Sequence, residues 1–220
     1  MDHRARGRWE RGRVLSGLYA FAAEREWLGR PLARVLWRAD VRSFYGDRRT
    51  LSRLPDDTAV LDVPCGGGVL FCGLGSGPAP LYAALDISAR MLERAGRRAR
   101  ARGLTRVFLI QADAQALPLA DSQFDVSFAH NSLHCYPDPP RALQELVRVL
   151  RPGGRLHGTA IVSGTGRWSD LVISVALQLG LFRSRLRVQD VSTWLSGCAL
   201  VDVALQRSGA FVSFSGRRAP

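Results

Sequence analysis

The chain has 220 residues, of which 46% are apolar and 23% charged, and its formal net charge at pH 7 is +12. This length and balance fit one globular domain with a modest extension, and they exclude a disordered or fibrous chain. No stretch of the sequence reaches the roughly 20 apolar residues that a membrane-spanning helix needs.

The positive charge comes from arginine alone, because all 31 basic residues are arginine and lysine is absent. Such a charge could attract nucleic acid, anionic lipid or an acidic substrate. No basic run is interleaved with the aromatic residues on which bases stack. We therefore favour a compositional preference for arginine and expect no nucleic acid partner. The sequence leaves open peripheral contact with a membrane and the oligomeric state.

The four cysteines are Cys65, Cys72, Cys135 and Cys198, and they form no CxxC pair and no evident disulfide framework. This usage suits a reducing compartment, so we expect a cytoplasmic protein. We predict no metal site.

Residues 1–53 are rich in arginine and have helical patterning. Arginines up to Arg13, followed by the apolar stretch 14–23, have the outline of a signal peptide. That stretch is short, however, and it contains Ser16 and Gly17. We predict an amphipathic helix pair with a charged leader, and we treat 1–53 as an extension on the substrate side of a core domain over 54–220.

Apolar runs and helical patterns alternate through the core domain. The predicted strands are 59–63, 80–85, 107–111, 124–130 and 155–162. A helix is predicted from Ala89 to about Arg102 after the N-cap Ser88, and another from Pro139 through Leu150. The three glycines Gly73, Gly75 and Gly77 in the segment after the glycine turn predict only a short helix of about two turns there, followed by an irregular loop.

Two strand-like runs close the chain, 200–206 and 210–216, with three residues between them. Three residues cannot hold a crossover helix, so these runs must form an antiparallel hairpin. Alternating strands and helices predict a parallel sheet for the rest. The predicted fold is a doubly wound, mainly parallel seven-stranded α/β sheet in three layers that ends in an antiparallel hairpin.

Acidic residues follow three successive predicted strands. The first strand leads through Asp62 into the glycine turn Pro64-Cys65-Gly66-Gly67-Gly68, the second ends at Asp86, and Asp113 follows the third. A glycine turn beneath one end of a ligand and a carboxylate on its ribose hydroxyls form an adenosine pocket. A dinucleotide-binding Gly-x-Gly-x-x-Gly fits neither frame, because Phe71 and Pro78 stand where glycine is needed.

These motifs resemble, in order and spacing, those of the class I S-adenosylmethionine-dependent methyltransferases. The segments that carry the resemblance are Asp62–Gly68, Asp86–Met91 and 111–119, with Phe124–Val126 and Leu133–His134 further along. The chain is similar to the small-molecule group that includes quinone-biosynthesis C-methyltransferases. The resemblance implies a Rossmann-like fold, S-adenosylmethionine as cofactor with S-adenosylhomocysteine as product, and a small hydrophobic acceptor methylated at O, N or C.

The resemblance also implies which residues bind the cofactor: Asp62, Pro64, Gly66, Gly68, Asp86, Ile87, Met91, Asp113, Ala114 and His130. The two glycines would let the backbone approach the methionine portion, where a Cβ would clash. Asp86 would accept from the ribose hydroxyls, and Asp113 from the adenine amino group. Pro64 replaces the family's usual first glycine, which removes one N–H from the turn.

Two histidines are candidate catalytic bases. His130 leaves the carboxyl end of the fourth predicted strand, and His134 stands at the family's Leu-His position. Either could remove a proton from the acceptor, or both could only hydrogen-bond the loop or the cofactor.

Residues 163–190 are predicted to be an insertion on the substrate side. Leu171, Val175 and Leu179 share a helical stripe there, and we favour packing of this stripe on the sheet. The alternative is a lid over an apolar acceptor, with Gly164 and Gly166 allowing it to bend. Two other functions stay open for the whole chain, namely an RNA methyltransferase and a cofactor-binding protein without catalysis.

Overall fold

The structure, a computed structural model, describes residues 25–75 and 80–220. Its strands are β1 (Ala59–Asp62), β2 (Leu81–Asp86), β3 (Val107–Gln111), β4 (Phe124–Ala129), β5 (Leu150–Ile161), β6 (Leu200–Ser208) and β7 (Phe211–Arg218). Its α-helices are α1 (Glu26–Trp37), α2 (Arg42–Leu51), α3 (Ala89–Ala101), α4 (Pro139–Arg148), α5 (Arg167–Gln178) and α6 (Val188–Ser196). The predicted charged leader lies outside the described residues.

All seven strands form one sheet in the order β3-β2-β1-β4-β5-β7-β6. Strands β1 to β5 pair in parallel, and β7 is antiparallel to both of its neighbours. The predicted fold is therefore confirmed, including the terminal hairpin. The direction of winding reverses between β1 and β4, and open α/β sheets bind ligands at such a point, outside the carboxyl ends of the strands.

The core has two apolar clusters, one on each face of the sheet. Leu143 of α4 and Val191 of α6 belong to one cluster. Trp37 of α1, Leu92 of α3 and Ile173 of α5 belong to the other. The arrangement gives three layers, as predicted, and helices α1 and α2 confirm the helical prediction for that part of the extension.

Helix α1 is tied to the turn of the β6–β7 hairpin. The Ala210 N–H donates to the Trp37 carbonyl at 2.9 Å, and the Asp40 N–H donates to Ser208 Oγ at 2.8 Å. A Cβ at Gly209 would collide with the carbonyl oxygens of Trp37 and Arg38. The hairpin turn therefore needs glycine so that the end of α1 can approach it closely.

Two predicted elements differ in detail. Strand β5 begins at Leu150, because Pro152-Gly153-Gly154 continues the strand through a register shift and does not form a separate turn before it. The segment after the glycine turn is a 3-10 helix over Val69–Gly73, shorter than the predicted two turns. A Cβ at Gly73 would collide with the Arg48 carbonyl of α2, so close packing there explains one of the glycines. Within 25–75 and 80–220, no helix has both the length and the apolar character to cross a membrane.

Candidate active site

A cavity of about 490 Å³ lies at the carboxyl edge of the sheet. One side is formed by the ends of β1, β2 and β4, and the other side by α1, α2 and α5. Its lining includes every predicted cofactor-binding residue except Gly68: Asp62, Pro64, Gly66, Asp86, Ile87, Met91, Asp113, Ala114 and His130. The fold thus gathers residues that are up to 68 positions apart at one edge, and their contact with a cofactor stays a prediction.

The glycines of the turn have different roles. Gly66 has a φ of +52°, and a Cβ built on it would meet no atom within 4 Å, so it borders open cavity. Gly68 has a φ of +75°, but a Cβ there would lie 2.6 Å from the Phe71 ring. We expected Gly68 to open the backbone to a ligand, but the structure gives it a packing role. Glycine is needed there because the Phe71 ring leaves no room for a Cβ and because the backbone is left-handed.

Asp86 links the end of β2 to the glycine turn. Its Oδ2 accepts from the Gly66 N–H at 2.9 Å and its Oδ1 accepts from the Ser88 N–H at 2.9 Å. Burial raises the pKa of Asp86 to about 6, against the lowering effect of these backbone hydrogen bonds. The Ile87 backbone N–H also contributes a hydrogen bond to this carboxylate. A carboxylate offers about four acceptor positions, so the side chain keeps acceptor capacity for a ligand in the cavity.

Asp62 is held from below by Tyr82 of β2, a residue that the sequence analysis did not single out. The Tyr82 hydroxyl donates to Asp62 Oδ2 at 2.8 Å inside the sheet. Burial raises the pKa of Asp62 to about 8, partly offset by this hydrogen bond. This bond thus fixes Asp62, at the end of β1 just before the turn, to the neighbouring strand β2.

The third predicted acid, Asp113, faces the cavity beside Ala114. Its Oδ1 accepts from the backbone N–H and the side-chain amide of Gln115, at 2.9 and 3.0 Å. Nearby, the Gln111 amide donates to the Ile87 carbonyl at 3.0 Å. These bonds fix the segment after β3 against the one after β2, and Gln115 joins the cavity lining as a residue the sequence analysis missed.

His134 is fully buried, and its geometry argues against the predicted role as a base. Its Nδ1 accepts a hydrogen bond from the Ile161 N–H at 3.1 Å. The neutral ring must therefore carry its proton on Nε2, which leaves no free lone pair. Burial also lowers the pKa of His134 to about 3, so the ring is a poor proton acceptor near neutral pH.

His130 has a different environment. Its ring lies edge-on to Phe44 at 5.0 Å and stacks on Phe128 at 5.7 Å. Its Nε2 lies 3.3 Å from Asp47 Oδ2 of α2, yet neither ring nitrogen meets hydrogen-bond geometry with a described residue. Asp47 also lies 3.4 Å from His157 Nδ1. No motif pointed to Asp47, because only the fold brings α2 beside β4 and β5.

The far wall of the cavity is apolar. It is built by Leu32, Leu36, Trp37, Phe44, Val172, Val175, Ala176, Leu179, Leu181 and Phe182. The Trp37 and Phe182 rings stack with centroids 5.9 Å apart. A flat or branched hydrophobic group would find matching surface here, whereas the opposite wall offers backbone and carboxylate groups.

The predicted packing of the α5 stripe on the sheet is wrong. Leu171 is 56% exposed and Leu179 is 50% exposed. Helix α5 turns Ile173 and Ala176 toward the core, so the stripe lies to one side of that contact. Val175 and Leu179 line the cavity from this position.

Residues 61–157 match a protein family described as a methyltransferase domain. The 27-O-demethylrifamycin SV methyltransferase of Amycolatopsis mediterranei is 40% identical over 98 residues, which are 44% of this chain and 36% of that protein. The demethylmenaquinone methyltransferase of Lactococcus lactis is 35% identical over 123 residues, or 55% of this chain and 46% of the relative. The chain thus spans less than half the length of these curated relatives.

Solved structures share the fold at low sequence identity. The YcgJ protein of Bacillus subtilis has a TM-score of 0.68 at 16% identity, covering 81% of this chain and 99% of that one. Phosphoethanolamine N-methyltransferase 2 of Haemonchus contortus, in complex with S-adenosyl-L-methionine, has a TM-score of 0.70 at 13% identity. That match covers 82% of this chain and 53% of that one.

Proposed function

We propose that this chain transfers a methyl group from S-adenosylmethionine to a small hydrophobic acceptor. The premise is that the chain belongs to the class I methyltransferases through its domain at residues 61–157. The family match confirms the resemblance drawn from the sequence motifs. One observation carries the proposal: a single cavity joins the glycine turn and Asp86 to an apolar wall.

The residues at the sheet edge fit this cofactor. The open space in front of Gly66 is one that a Cβ would fill, and Asp86 is a buried acid at the cavity with acceptor capacity left for a ribose hydroxyl. Gly66 and Gly67 would hold the methionine portion, Asp86 the ribose, and Asp113 with Ala114 the adenine. When bound, S-adenosylmethionine supplies a methyl group on a sulfonium, so the protein needs no nucleophile of its own.

The acceptor is small and hydrophobic, as the composition of the far wall indicates. Apolar side chains from α1, α2 and α5 line that wall, which suits an aromatic ring or an alkyl chain better than a ribose phosphate. The names of the relatives point the same way, since they refer to a rifamycin and to demethylmenaquinone. These helices also support our assignment of 1–53 and 163–190 to the acceptor side, with 54–220 as the core.

The chain's own part in the reaction is to position the acceptor, exclude water and accept a proton where the acceptor has one to lose. The stacked Trp37 and Phe182 rings close the apolar wall against water. His130 is the candidate base. Asp47 beside Nε2 favours the tautomer protonated there, which leaves Nδ1 to take the proton. Both nitrogens are buried, so the proton must reach Nδ1 by close insertion of the acceptor or through one water.

Four free cysteines support a reducing compartment as the place of action: Cys65, Cys72, Cys135 and Cys198. We accordingly place the protein in the cytoplasm, where thiols stay reduced.

Calorimetric titration with S-adenosylhomocysteine tests the cofactor half of the proposal. We expect binding that Asp86→Asn weakens by about 100-fold, because hydrogen bonds to a charged group contribute roughly 1.5–3 kcal/mol each. The matched control is Asp202→Asn, an exposed acid on β6 that pairs with Arg217. A wild-type protein that does not bind at about 1 mM ligand would overturn the proposal.

Transfer of a radiolabelled methyl group tests the acceptor half. The panel contains an isoprenoid naphthoquinol, a phenolic lipid and total RNA, each incubated with labelled S-adenosylmethionine. We expect label in the material extracted into organic solvent. Label in RNA would favour an RNA methyltransferase, and firm cofactor binding without any transfer would favour a cofactor-binding protein without catalysis.

A further inference from the structure

Helices α1 and α5 both expose large apolar side chains beside the cavity. The two helices touch where the Trp168 indole N–H donates to the Val35 carbonyl at 2.8 Å. Trp27 is 73% exposed and Val35 is 62% exposed. We define the apolar face as the exposed large side chains of these helices and the residue after α5: Trp27, Val35, Trp168, Leu171, Val175 and Leu179.

Cationic side chains border this face. Arg34 precedes Val35 in α1, Arg38 follows the end of this helix, and both are exposed. Exposed Arg167 begins α5 one turn before Leu171. The acids nearby are already engaged. Glu26 lies 3.5 Å from Arg30, and Asp170 accepts from the Gly164 N–H at 2.8 Å.

We propose that the apolar face docks on the surface of an anionic lipid bilayer. Tryptophan side chains suit the boundary between headgroups and acyl chains, where one side of the ring is apolar and the other is wet. Arginines beside such a surface attract anionic headgroups. The apolar centre and cationic border of this face match both halves of that environment.

The apolar face adjoins the cavity, so docking on a membrane would bring the cavity close to a hydrophobic acceptor. This part of the argument rests on the proposed function. Val175 and Leu179 belong to the apolar face and also line the cavity. A hydrophobic acceptor dissolved in the bilayer would therefore pass from the membrane to the far wall without crossing bulk water. The cofactor half of the cavity lies on the opposite side, along the sheet edge.

Vesicle sedimentation with the full chain tests the proposal. We expect binding to vesicles containing about one third phosphatidylglycerol, weaker binding at 0.5 M salt because the charges are screened, and weak binding to pure phosphatidylcholine. The double variant Val35→Glu/Leu171→Glu should bind the anionic vesicles at least about tenfold more weakly. Neither residue lines the cavity, and glutamate is well tolerated in helices.

The matched control is Phe108→Glu/Val203→Glu, which adds the same two charges at side chains 53% and 41% exposed on the edge strands β3 and β6. Its vesicle binding should stay within twofold of the wild type. All variants are titrated with S-adenosylhomocysteine in the absence of vesicles. Equal affinities show that the folded cofactor site is intact, so loss of docking and failure of the proposed function are read separately.

Three outcomes would overturn the proposal. A full chain that leaves anionic vesicles unbound would mean that something else covers the apolar face, such as residues 1–24. A dimer in sedimentation velocity that Val35→Glu/Leu171→Glu dissociates would assign the face to a second copy of the chain. An equal loss of vesicle binding in Phe108→Glu/Val203→Glu would show that the loss comes from net charge and not from the apolar face.

Discussion

Replacing Gly66 by alanine tests whether this glycine is needed for cofactor binding or only for its backbone conformation, when Gly103→Ala serves as the comparison. Gly66 has a φ of +52° and open space where its Cβ would be, and Gly103 has a φ of +66° and open space too. Gly103 follows α3 and does not line the cavity. The left-handed conformation costs alanine about 1–2 kcal/mol at either position, which lowers the melting temperature of a chain of this size by roughly 2–8 °C.

The two variants should differ in cofactor binding alone. A methyl group placed where a ligand packs costs about 1–3 kcal/mol, or roughly 5- to 150-fold in affinity. We expect calorimetry with S-adenosylhomocysteine to show that loss for Gly66→Ala and an unchanged affinity for Gly103→Ala, with similar melting temperatures. Equal affinities in the two variants would refute the assignment of the space in front of Gly66 to the cofactor.

Three further predictions concern buried polar groups. The affinity for S-adenosylhomocysteine should be constant above about pH 7 and fall below the Asp86 pKa of about 6, because protonation turns one carboxylate oxygen from an acceptor into a donor and weakens its bonds from ribose hydroxyls. A flat calorimetric profile from pH 5 to 8 would contradict this. Tyr82→Phe removes the donor to buried Asp62 and should lower the free energy of unfolding in urea by about 1–3 kcal/mol, so a loss under about 0.5 kcal/mol counts against that bond. The pKa of His134 is lowered to about 3 by burial, below its unfolded value near 6.5, so its contribution to stability is complete above pH 6.5 and declines as the pH falls toward 3. Its ring should show the neutral Nε2–H tautomer by NMR down to pH 5, and a titration midpoint near 6 would disprove the assignment.

The strands and the glycine turn were predictable because each depends on local pattern. Short apolar runs that end in an acid, such as the run before Asp86, mark strands and their carboxyl ends. The three residues between the last two runs permit only a hairpin. These features need no knowledge of distant contacts.

Side-chain partners that come from distant segments were not predictable in this way. Asp47 meets His130 only because α2 packs across the ends of β4 and β5. Helical periodicity identified the stripe of Leu171 and Leu179 but could not say whether it faces the sheet or the solvent. Gly68 illustrates a third limit, since a glycine required by a neighbouring ring and one required by a ligand look alike in a sequence.

The bond between Asp40 and Ser208 joins residues that are 168 positions apart, and it has a consequence for synthesis. Helix α1 leaves the ribosome before the β6–β7 hairpin, so the helix lacks this anchor until the residues between them have emerged. The sheet edge around Asp86 can assemble earlier from contacts made within the middle of the chain. A chain cut before this hairpin would therefore leave α1, which lines the apolar wall of the cavity, without its anchor.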